Sequence, residues 1–305
     1  MDGVIVLDKP QDFTSFDAVA VMRRLSGQRK IGHTGTLDPM ATGVLPLLLG
    51  KATRAASLLD DTDKEYEASF RFGTATDTQD STGKVLKESG VPVTREQLES
   101  VLPLFRGDIL QIPPMYSAVQ KNGQRLYDLA RQGIEVEREP RPITVYKLEL
   151  KEYDEPTRSG SFTVRCSKGT YIRTLCADIG ERLNAYGMMT ALRRTVASGF
   201  TLADAVTLEQ ARALSEQGTL AQRVLPVERL FETRLVLRVT QAQAQRFSNG
   251  GALSLNRTAI AGTDEDGMGY RVVSPQGEFL GLGEVHLAEQ ELKILRLFCR
   301  GNSGD

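Results

Sequence analysis

The chain lacks tryptophan and has only three cysteines and two histidines among its 305 residues. Cys166, Cys176 and Cys299 are isolated from one another, and no Cys-x-x-Cys pair occurs. Because His33 and His286 are the only histidines, no zinc-ligand spacing is present. We interpret the thiols as small buried hydrophobic groups in a protein of a reducing compartment.

Long apolar runs and glycine-rich phosphate loops are also missing. No segment approaches the roughly 18 apolar residues of a membrane helix, and residues 1–8 are too short and too acidic for a signal peptide. No P-loop or dinucleotide-binding glycine motif stands between a predicted strand and a predicted helix. The sequence therefore predicts a cytoplasmic protein without a membrane partner.

What is present is ordinary globular composition, with 40% hydrophobic and 25% charged residues. The length allows one large domain, or a large and a small one. The net charge of −1 counts mildly against nucleic-acid binding. Its distribution matters more, because residues 165–194 carry six arginines and lysines against two acids. This segment predicts a basic face for RNA, although mixed charges that merely solvate the surface would look the same.

Hydrophobic periodicity predicts strands and helices that do not alternate strictly. Capping-box signals at Thr14 and Thr94 predict helix starts, and Gly27 predicts the end of the first helix. Alternation predicts strands over 66–72, 143–151 and about 190–200, with a helix from Ile172 to Leu183 between the last two and a polar loop over 73–90. This order favours an α+β fold, in which a mixed, largely antiparallel sheet is flanked by helices.

Two regions depart from this pattern. Residues 107–142 are rich in proline and glycine around a short helix near 125–131, which predicts an insertion. After about residue 236, a short helix and three strand candidates at 269–274, 278–286 and 293–298 predict a small β-rich module. We therefore expect one domain over 1–236 and a second over 237–305.

The clearest chemical signal is Asp38, a lone carboxylate in a turn of glycine, threonine and proline. The apolar run 44–49 follows at once, so the turn is expected to stand on a buried, rigid support. Asp before Pro is also a common turn former, and on its own Asp38 could be structural.

The Asp38 turn is one of four stretches that run from Lys9 to Arg173 in a fixed order. They are Lys9-Pro10, Gly35-Thr36-Leu37-Asp38-Pro39 with Ala41-Thr42-Gly43-Val44-Leu45, Tyr66, and Lys168-Gly169-Thr170-Tyr171-Ile172-Arg173. In this order they resemble the pseudouridine synthases, specifically the family that modifies uridine 55 in the T loop of tRNA. The resemblance implies the pseudouridine synthase fold and the conversion of uridine to pseudouridine. It also implies a PUA-like RNA-binding barrel in the module after 236. It also implies that the insertion closes over the RNA stem-loop.

The resemblance implies three catalytic residues. Asp38 matches the family's catalytic aspartate, Arg173 its active-site arginine, and Tyr66 the tyrosine that stacks on the target base. Whether Asp38 attacks the base, attacks the sugar or removes a proton is open. From the residues alone, Arg173 could be a surface arginine and Tyr66 a core aromatic.

Five further positions are implied as substrate-binding. Lys9 and Pro10 match a strand-end pair that supports the catalytic loop and approaches the substrate, although a solvated lysine would fit as well. His33 matches a histidine at the point where the target nucleotide leaves the stack, and could instead be structural. Tyr171 and Leu192 fit the apolar walls around the base, and would otherwise be ordinary core residues.

The reaction breaks and remakes a glycosidic bond without a redox change, so no metal or organic cofactor is required. A carboxylate can supply the essential group. The target uridine must be extruded from the folded loop, and phosphates must meet Lys and Arg. We expect a monomer whose partner is the T stem-loop of tRNA.

Two alternatives to this enzyme fit parts of the sequence. A homologue could bind and fold tRNA through the same surface without turnover, but the intact set Asp38, Tyr66 and Arg173 argues against pure binding. A glycosidase-like hydrolase would need a second acid across the bond, and no partner stands out in the sequence.

Overall fold

The described part of the chain forms two large β-sheets, two small two-stranded sheets and six α-helices. The structure, a computed structural model, describes residues 1–59, 63–260 and 265–299. Strands β1 to β18 span Gly3–Lys9, Ile31–His33, Thr42–Leu49, Lys64–Phe72, Thr74–Thr76, Val85–Glu88, Gly107–Gln111, Gln120–Lys121, Gln124–Arg125, Arg141–Asp154, Ser159–Cys166, Gly187–Ala197, Phe200–Thr201, Leu235–Arg238, Leu253–Ser254, Gly269–Val273, Phe279–His286 and Glu291–Leu297. Helices α1 to α6 span Ser15–Ser26, Arg95–Val101, Leu126–Arg131, Ile172–Arg182, Leu208–Glu216 and Gln241–Ser248.

The large sheet has the strand order β1-β3-β12-β4-β11-β10-β7, with β2 added to β3 and β13 to β12. Every pairing in it is antiparallel except β12 with β3, which is parallel. The predicted α+β class with a mixed, largely antiparallel sheet is confirmed. Within the described ranges, no helix is long and apolar enough to cross a membrane.

One face of the large sheet carries the main core. Along β4, alternate side chains enter this core, and Phe70 stacks on Phe162 of the neighbouring strand with ring centroids 4.1 Å apart. Helices α1 and α4 cover the same face with buried side chains such as Met22 and Ile179. Full burial of each large apolar side chain stabilises the fold by about 1.5–3 kcal/mol. The sheet is therefore a rigid support for whatever lies at its edge.

Helix α1 begins and ends where the sequence predicts. The Thr14 side chain accepts a hydrogen bond from the backbone N–H of Asp17, and the Asp17 carboxylate accepts from the backbone of Thr14. The helix ends at Gly27, whose φ of 66° is a left-handed conformation that glycine adopts without strain. The cap fixes the position of Ser15 at the first turn, close to the Asp38 loop.

Two expectations need correction. The polar segment 73–90 is not a simple loop, because it contains the antiparallel pair β5 and β6. The expected insertion 107–142 is shorter at both ends, since β7 and the start of β10 pair with each other at the sheet edge. Only residues 112–140 leave the sheet, and they carry α3 and a small apolar cluster around Leu126 and Leu129. Gly107 at the start of β7 and Pro142 at the start of β10 are the turn-forming residues that concealed these paired strands in the sequence.

The C-terminal strands form a five-stranded sheet in the order β14-β16-β17-β18-β15, with α6 packed against it. The predicted strands after 236 are present as β16, β17 and β18, and the boundary near 236 falls within β14. This sheet shares a core with the large one: Phe231 contacts Phe279 and Phe298, and the same cluster contains Val4 and Val6 of β1. The two sheets are joined by an apolar interface and not by a loose linker.

Candidate active site

Three residues of the recognised stretches lie in one row with Arg194 across adjacent strands of the large sheet. Lys9 of β1 pairs with Gly43 of β3, Gly43 with Arg194 of β12, and Arg194 with Tyr66 of β4. Directly paired residues project to the same side of a sheet. The row is therefore a polar border at the end of the main core, and the Asp38 loop lies over it.

Gly43 makes this row possible. Its φ is 102°, and a Cβ there would lie 2.2 Å from the carbonyl oxygen of Arg194. Any other residue would have to push β3 away from β12, because that distance is far inside van der Waals contact. The glycine thus allows the parallel pairing that brings Arg194 under the loop.

Side chains from three different elements hold the backbone of the Asp38 loop. Ser15 at the start of α1 accepts a hydrogen bond from the N–H of Leu37 at 2.8 Å. The Lys9 ammonium donates to the carbonyl of Pro39 at 3.3 Å. Arg194 donates to the carbonyls of Gly35 and Thr36 at 3.1 and 3.3 Å. The loop is thereby fixed on both sides of Asp38.

Asp38 and Arg173, both named as catalytic candidates, form an ion pair. Nε of Arg173 lies 2.9 Å from Oδ2 of Asp38, and Nη2 lies 3.5 Å from Oδ1. The Asp38 side chain is 38% exposed, whereas that of Arg173 is 6% exposed. The carboxylate is open to a substrate while the guanidinium beneath it is enclosed. Arg173 is therefore not a surface arginine of α4.

The other nitrogens of Arg173 are held by segments that the sequence did not single out. Nη1 donates to the carbonyl of Thr78 at 2.8 Å, and Nη2 donates to the carbonyl of Tyr116 at 3.0 Å. Asp80 lies 3.7 Å from Nη1 with a buried side chain. Its Oδ1 also accepts hydrogen bonds from the Thr82 backbone N–H and hydroxyl. Asp80 is thus a second acid near the site, but its burial and its partners suit it to holding Arg173.

Tyr66 is only 6% exposed and belongs to the main core. Burial raises the pKa of its hydroxyl to about 12, although the positive charge of the neighbouring Arg194 guanidinium acts to lower it. The negative charge of Asp38 also contributes to the raised pKa, which reflects the proximity of the two groups. Tyr66 is both a core aromatic and a neighbour of the loop carboxylate. Its interpretation as a core residue is therefore compatible with its interpretation as a residue of the site.

Lys9 is fully buried, which rules out the solvated lysine that its position at a strand end allowed. Its ammonium donates to the carbonyls of Pro10, Phe13 and Pro39 at 2.8, 2.6 and 3.3 Å. Burial lowers the pKa of Lys9 to about 8 against the opposing effect of Asp38. These contacts fit a support for the loop, and direct contact of Lys9 or Pro10 with substrate stays a prediction.

His33 ends β2 immediately before the loop. Its Nδ1 is buried and has no hydrogen-bond partner among the described residues. Burial, with help from the positive charge of Arg194, lowers the pKa of this imidazole below 6.5. The side chain is therefore neutral at pH 7, and its contact with RNA stays a prediction.

The two residues expected to form apolar walls around the base lie at the start of α4 and in β12. Leu192 is 7% exposed and belongs to the main core, while Tyr171 is half-buried at the N-cap of α4. The buried side chain of Gln111 fixes this N-cap, because it accepts from the N–H of Tyr171 at 2.8 Å and donates to its carbonyl at 3.1 Å. No spacing or motif marks Gln111 in the sequence, since its partner is 60 residues away.

The available chemistry is that of one carboxylate. In the described residues no group of three or more His, Cys, Asp and Glu is arranged to hold a metal ion. Burial raises the pKa of Cys166 to about 11 and that of Cys176 to about 12, so neither is a thiolate at neutral pH. Asp38, exposed and oriented by Arg173, is the group placed to attack carbon or to accept a proton.

Family models match the chain over two adjoining segments. Residues 23–172 match the N-terminal domain of TruB family pseudouridylate synthases, and residues 173–232 match the C-terminal domain of tRNA pseudouridylate synthase B. The tRNA pseudouridine synthase B of Dechloromonas aromatica is 44% identical over 284 residues, which are 93% of this chain and 91% of that protein. That of Geobacillus thermodenitrificans is 46% identical over 261 residues, or 84% and 86% of the two chains.

Solved structures share the whole fold. A chain in the crystal structure of a Cbf5-Nop10-Gar1 complex superposes with a TM-score of 0.75 at 26% identity, covering 97% of this chain and 85% of that one. A chain in the structure of an H/ACA RNP bound to a substrate RNA containing 2'-deoxyuridine superposes with a TM-score of 0.75 at 24% identity, covering 98% and 86%. This second likeness concerns the fold alone.

Proposed function

Because the chain belongs to the TruB family of pseudouridylate synthases, a family of tRNA-modifying isomerases, we propose that it converts uridine 55 in the T loop of tRNA to pseudouridine. Asp38 is the catalytic carboxylate of this proposal. The observation that carries it is the ion pair in which a half-open carboxylate is held at 2.9 Å by a buried arginine.

The geometry supports a division of work between exposed and buried groups. Arg173 offers Asp38 two nitrogen donors in a fixed fork, which sets the direction of the carboxylate before substrate arrives. Tyr66 lies beneath, with a hydroxyl that stays protonated at neutral pH because its pKa is raised to about 12. The site thus presents one charged oxygen pair and one neutral phenol to a base.

A nucleotide in a folded loop reaches this carboxylate only if it leaves the stack, which costs a few kcal/mol. Neutral His33, at the end of β2 next to the loop, is proposed to contact the tRNA where the target nucleotide leaves the stack. Tyr171 and Leu192 are proposed as the apolar walls that receive the flipped base. Contacts of this kind offset part of the cost of unstacking.

Two further regions are proposed to bind RNA outside the site. The segment 112–140 contributes the Tyr116 carbonyl to Arg173, so its placement is coupled to the site, and we propose that it closes over the stem-loop. The β-rich region 237–305 has exposed arginines at positions 246, 257 and 296, and we propose that it binds tRNA phosphates as a PUA-like domain.

Position mapping tests the proposed substrate. The purified full chain is incubated with an unmodified tRNA transcript and EDTA, and pseudouridine is mapped nucleotide by nucleotide. We expect modification of uridine 55 alone, without added metal or cofactor. A transcript with cytidine at position 55 is the matched control and should gain no pseudouridine; modification at another position in either transcript would contradict the assignment.

Substitution of the three C-terminal arginines by glutamine tests the second RNA-binding region. Each lost phosphate contact should lower the slope of log affinity against log salt by about 0.7–0.9. The rate at saturating enzyme should stay at the wild-type value. An unchanged affinity with an unchanged salt slope would contradict a role for this surface.

A further inference from the structure

Arg194 is the largest side chain in the described part of the chain that is fully buried. No carboxylate among the described residues forms an ion pair with it. A buried charge is costly unless hydrogen bonds compensate it, and a hydrophobic side chain would fill the same space more cheaply. The buried guanidinium of Arg194 is therefore expected to serve a purpose other than packing.

The guanidinium meets the backbone on both sides of the catalytic carboxylate. Nη2 and Nη1 donate to the carbonyls of Gly35 and Thr36, at 3.1 and 3.3 Å, which precede Asp38 in the loop. Nε donates to the carbonyl of Val44 at 2.7 Å, which follows the loop on β3. One side chain thus joins both ends of the segment that carries Asp38.

Tyr66 is the direct partner of Arg194 across β12 and β4, so both side chains leave the same face of the sheet, and the positive charge of Arg194 acts on the Tyr66 hydroxyl. The loop and the phenol come from parts of the chain that are more than 20 residues apart, and Arg194 bridges them. A planar fork with five N–H donors can bind these three carbonyls at once and still face a neighbouring hydroxyl, whereas a lysine ammonium is a single point with three donors.

We propose that Arg194 is a positioning residue, which sets the Asp38 loop and the Tyr66 hydroxyl in one fixed relation for the isomerisation. This inference rests on the proposed function, because it assigns Arg194 a role in that same site. It requires the effect of Arg194 to fall on the chemical step and to pass in part through the Tyr66 hydroxyl.

The test uses Arg194→Lys and its neighbour Arg193→Lys as the matched control. Arg193 points to the other side of β12 and pairs with Asp8 at 2.8 Å, a contact that lysine can keep. Three quantities are measured: the single-turnover rate at saturating enzyme, the dissociation constant for tRNA, and the urea midpoint of unfolding. Rates are referred to the fraction of protein that is folded at the assay temperature.

We expect Arg194→Lys to lower the single-turnover rate at least about thirtyfold, since small misplacements of reacting groups cost up to about a hundredfold. The dissociation constant should change less than about threefold, and Arg193→Lys should stay within about twofold of wild type in rate. A purely structural role would instead lower the folded fraction and leave the rate of the folded protein unchanged.

A double-mutant cycle with Tyr66→Phe gives the readout that packing cannot mimic. If Arg194 acts through the hydroxyl, Arg194→Lys should cost at least about threefold less in the Tyr66→Phe background than in wild type. Should Arg194→Lys not fold, Arg194→Gln replaces it in the cycle. Should neither fold, Tyr66→Phe alone decides, because loss of the hydroxyl must then lower the rate.

The proposal is overturned if the folded Arg194 variant keeps the wild-type rate, if its effect is fully additive with Tyr66→Phe, or if Tyr66→Phe alone changes nothing. These outcomes differ from failure of the proposed function. If wild-type protein forms no pseudouridine in tRNA, or if Asp38→Asn stays active, the function fails whatever Arg194 does.

Discussion

Replacement of Arg173 by lysine tests how strongly the enclosed guanidinium organises the site. A lysine has one nitrogen, so it can keep the contact with Asp38 or one with a carbonyl, but not all of them. At least one of the Thr78 and Tyr116 carbonyls then loses its donor, which costs about 1–3 kcal/mol for each buried acceptor. We count nothing for the lost second contact to Asp38, because that side chain is 38% exposed.

We therefore expect Arg173→Lys to lower the free energy of unfolding by about 1–3 kcal/mol, the cost of at least one lost carbonyl contact. It should also lower the single-turnover rate at least about a hundredfold, because Asp38 is no longer held in one direction. Urea unfolding followed by circular dichroism and pseudouridine formation at saturating enzyme measure the two effects. Arg182→Lys, at an exposed site in the last turn of the same helix, is the control and should change stability by less than about 0.5 kcal/mol. The reasoning would be refuted if Arg173→Lys changed stability by less than about 0.5 kcal/mol and formed pseudouridine at the rate of the Arg182→Lys control.

Two further predictions concern pH. Burial, with help from Glu181, raises the pKa of Asp178 to about 6, above its value of 3.8 in an unfolded chain, so its ionised form destabilises the folded state at neutral pH. Asp178→Asn should therefore raise the free energy of unfolding by about 1–3 kcal/mol at pH 7, with the gain lost as the pH falls from 6 to below 4; no gain at pH 7 in urea titrations would contradict this. The pKa of His33 is lowered below 6.5 by burial, so the unfolded chain binds this proton first and stability should fall as the pH drops through 6.5. His33→Asn should flatten that fall, measured against His286→Asn, and an equal flattening in both variants would contradict the assignment.

The parts of the fold that follow from local pattern could be predicted from the sequence. The alternation along β4 and the cap at Thr14 are set by neighbours within a few residues, and both elements lie where the pattern indicates. The pair β5 and β6 does not follow from the sequence because β5 has only three residues and all four residues of β6, including Val85 and Leu86, are exposed, so neither strand gives an apolar period. The same cause hid Asp80, which lies in the turn between those two strands.

The residues of the candidate site also fall into those that the sequence marks and those that only the structure reveals. Asp38, Tyr66 and Arg173 are marked by motifs, and the structure places Asp38 against Arg173 and close to Tyr66. Arg194 follows Arg193 with nothing in the sequence to tell a buried guanidinium from a surface one. Only the register of β12 between β3 and β4 puts it under the loop. Roles that depend on strand pairing over more than 100 residues cannot be read from spacing along the chain.

The central claim is that the Asp38 carboxylate performs the isomerisation. The most direct measurement is single-turnover conversion of uridine 55 by Asp38→Asn, which keeps the size of the side chain and removes its charge, with Asp154→Asn as the exposed control. We expect no pseudouridine from Asp38→Asn, tRNA affinity within about threefold of wild type, and full activity from the control. Pseudouridine formed by Asp38→Asn at the wild-type rate would contradict the account.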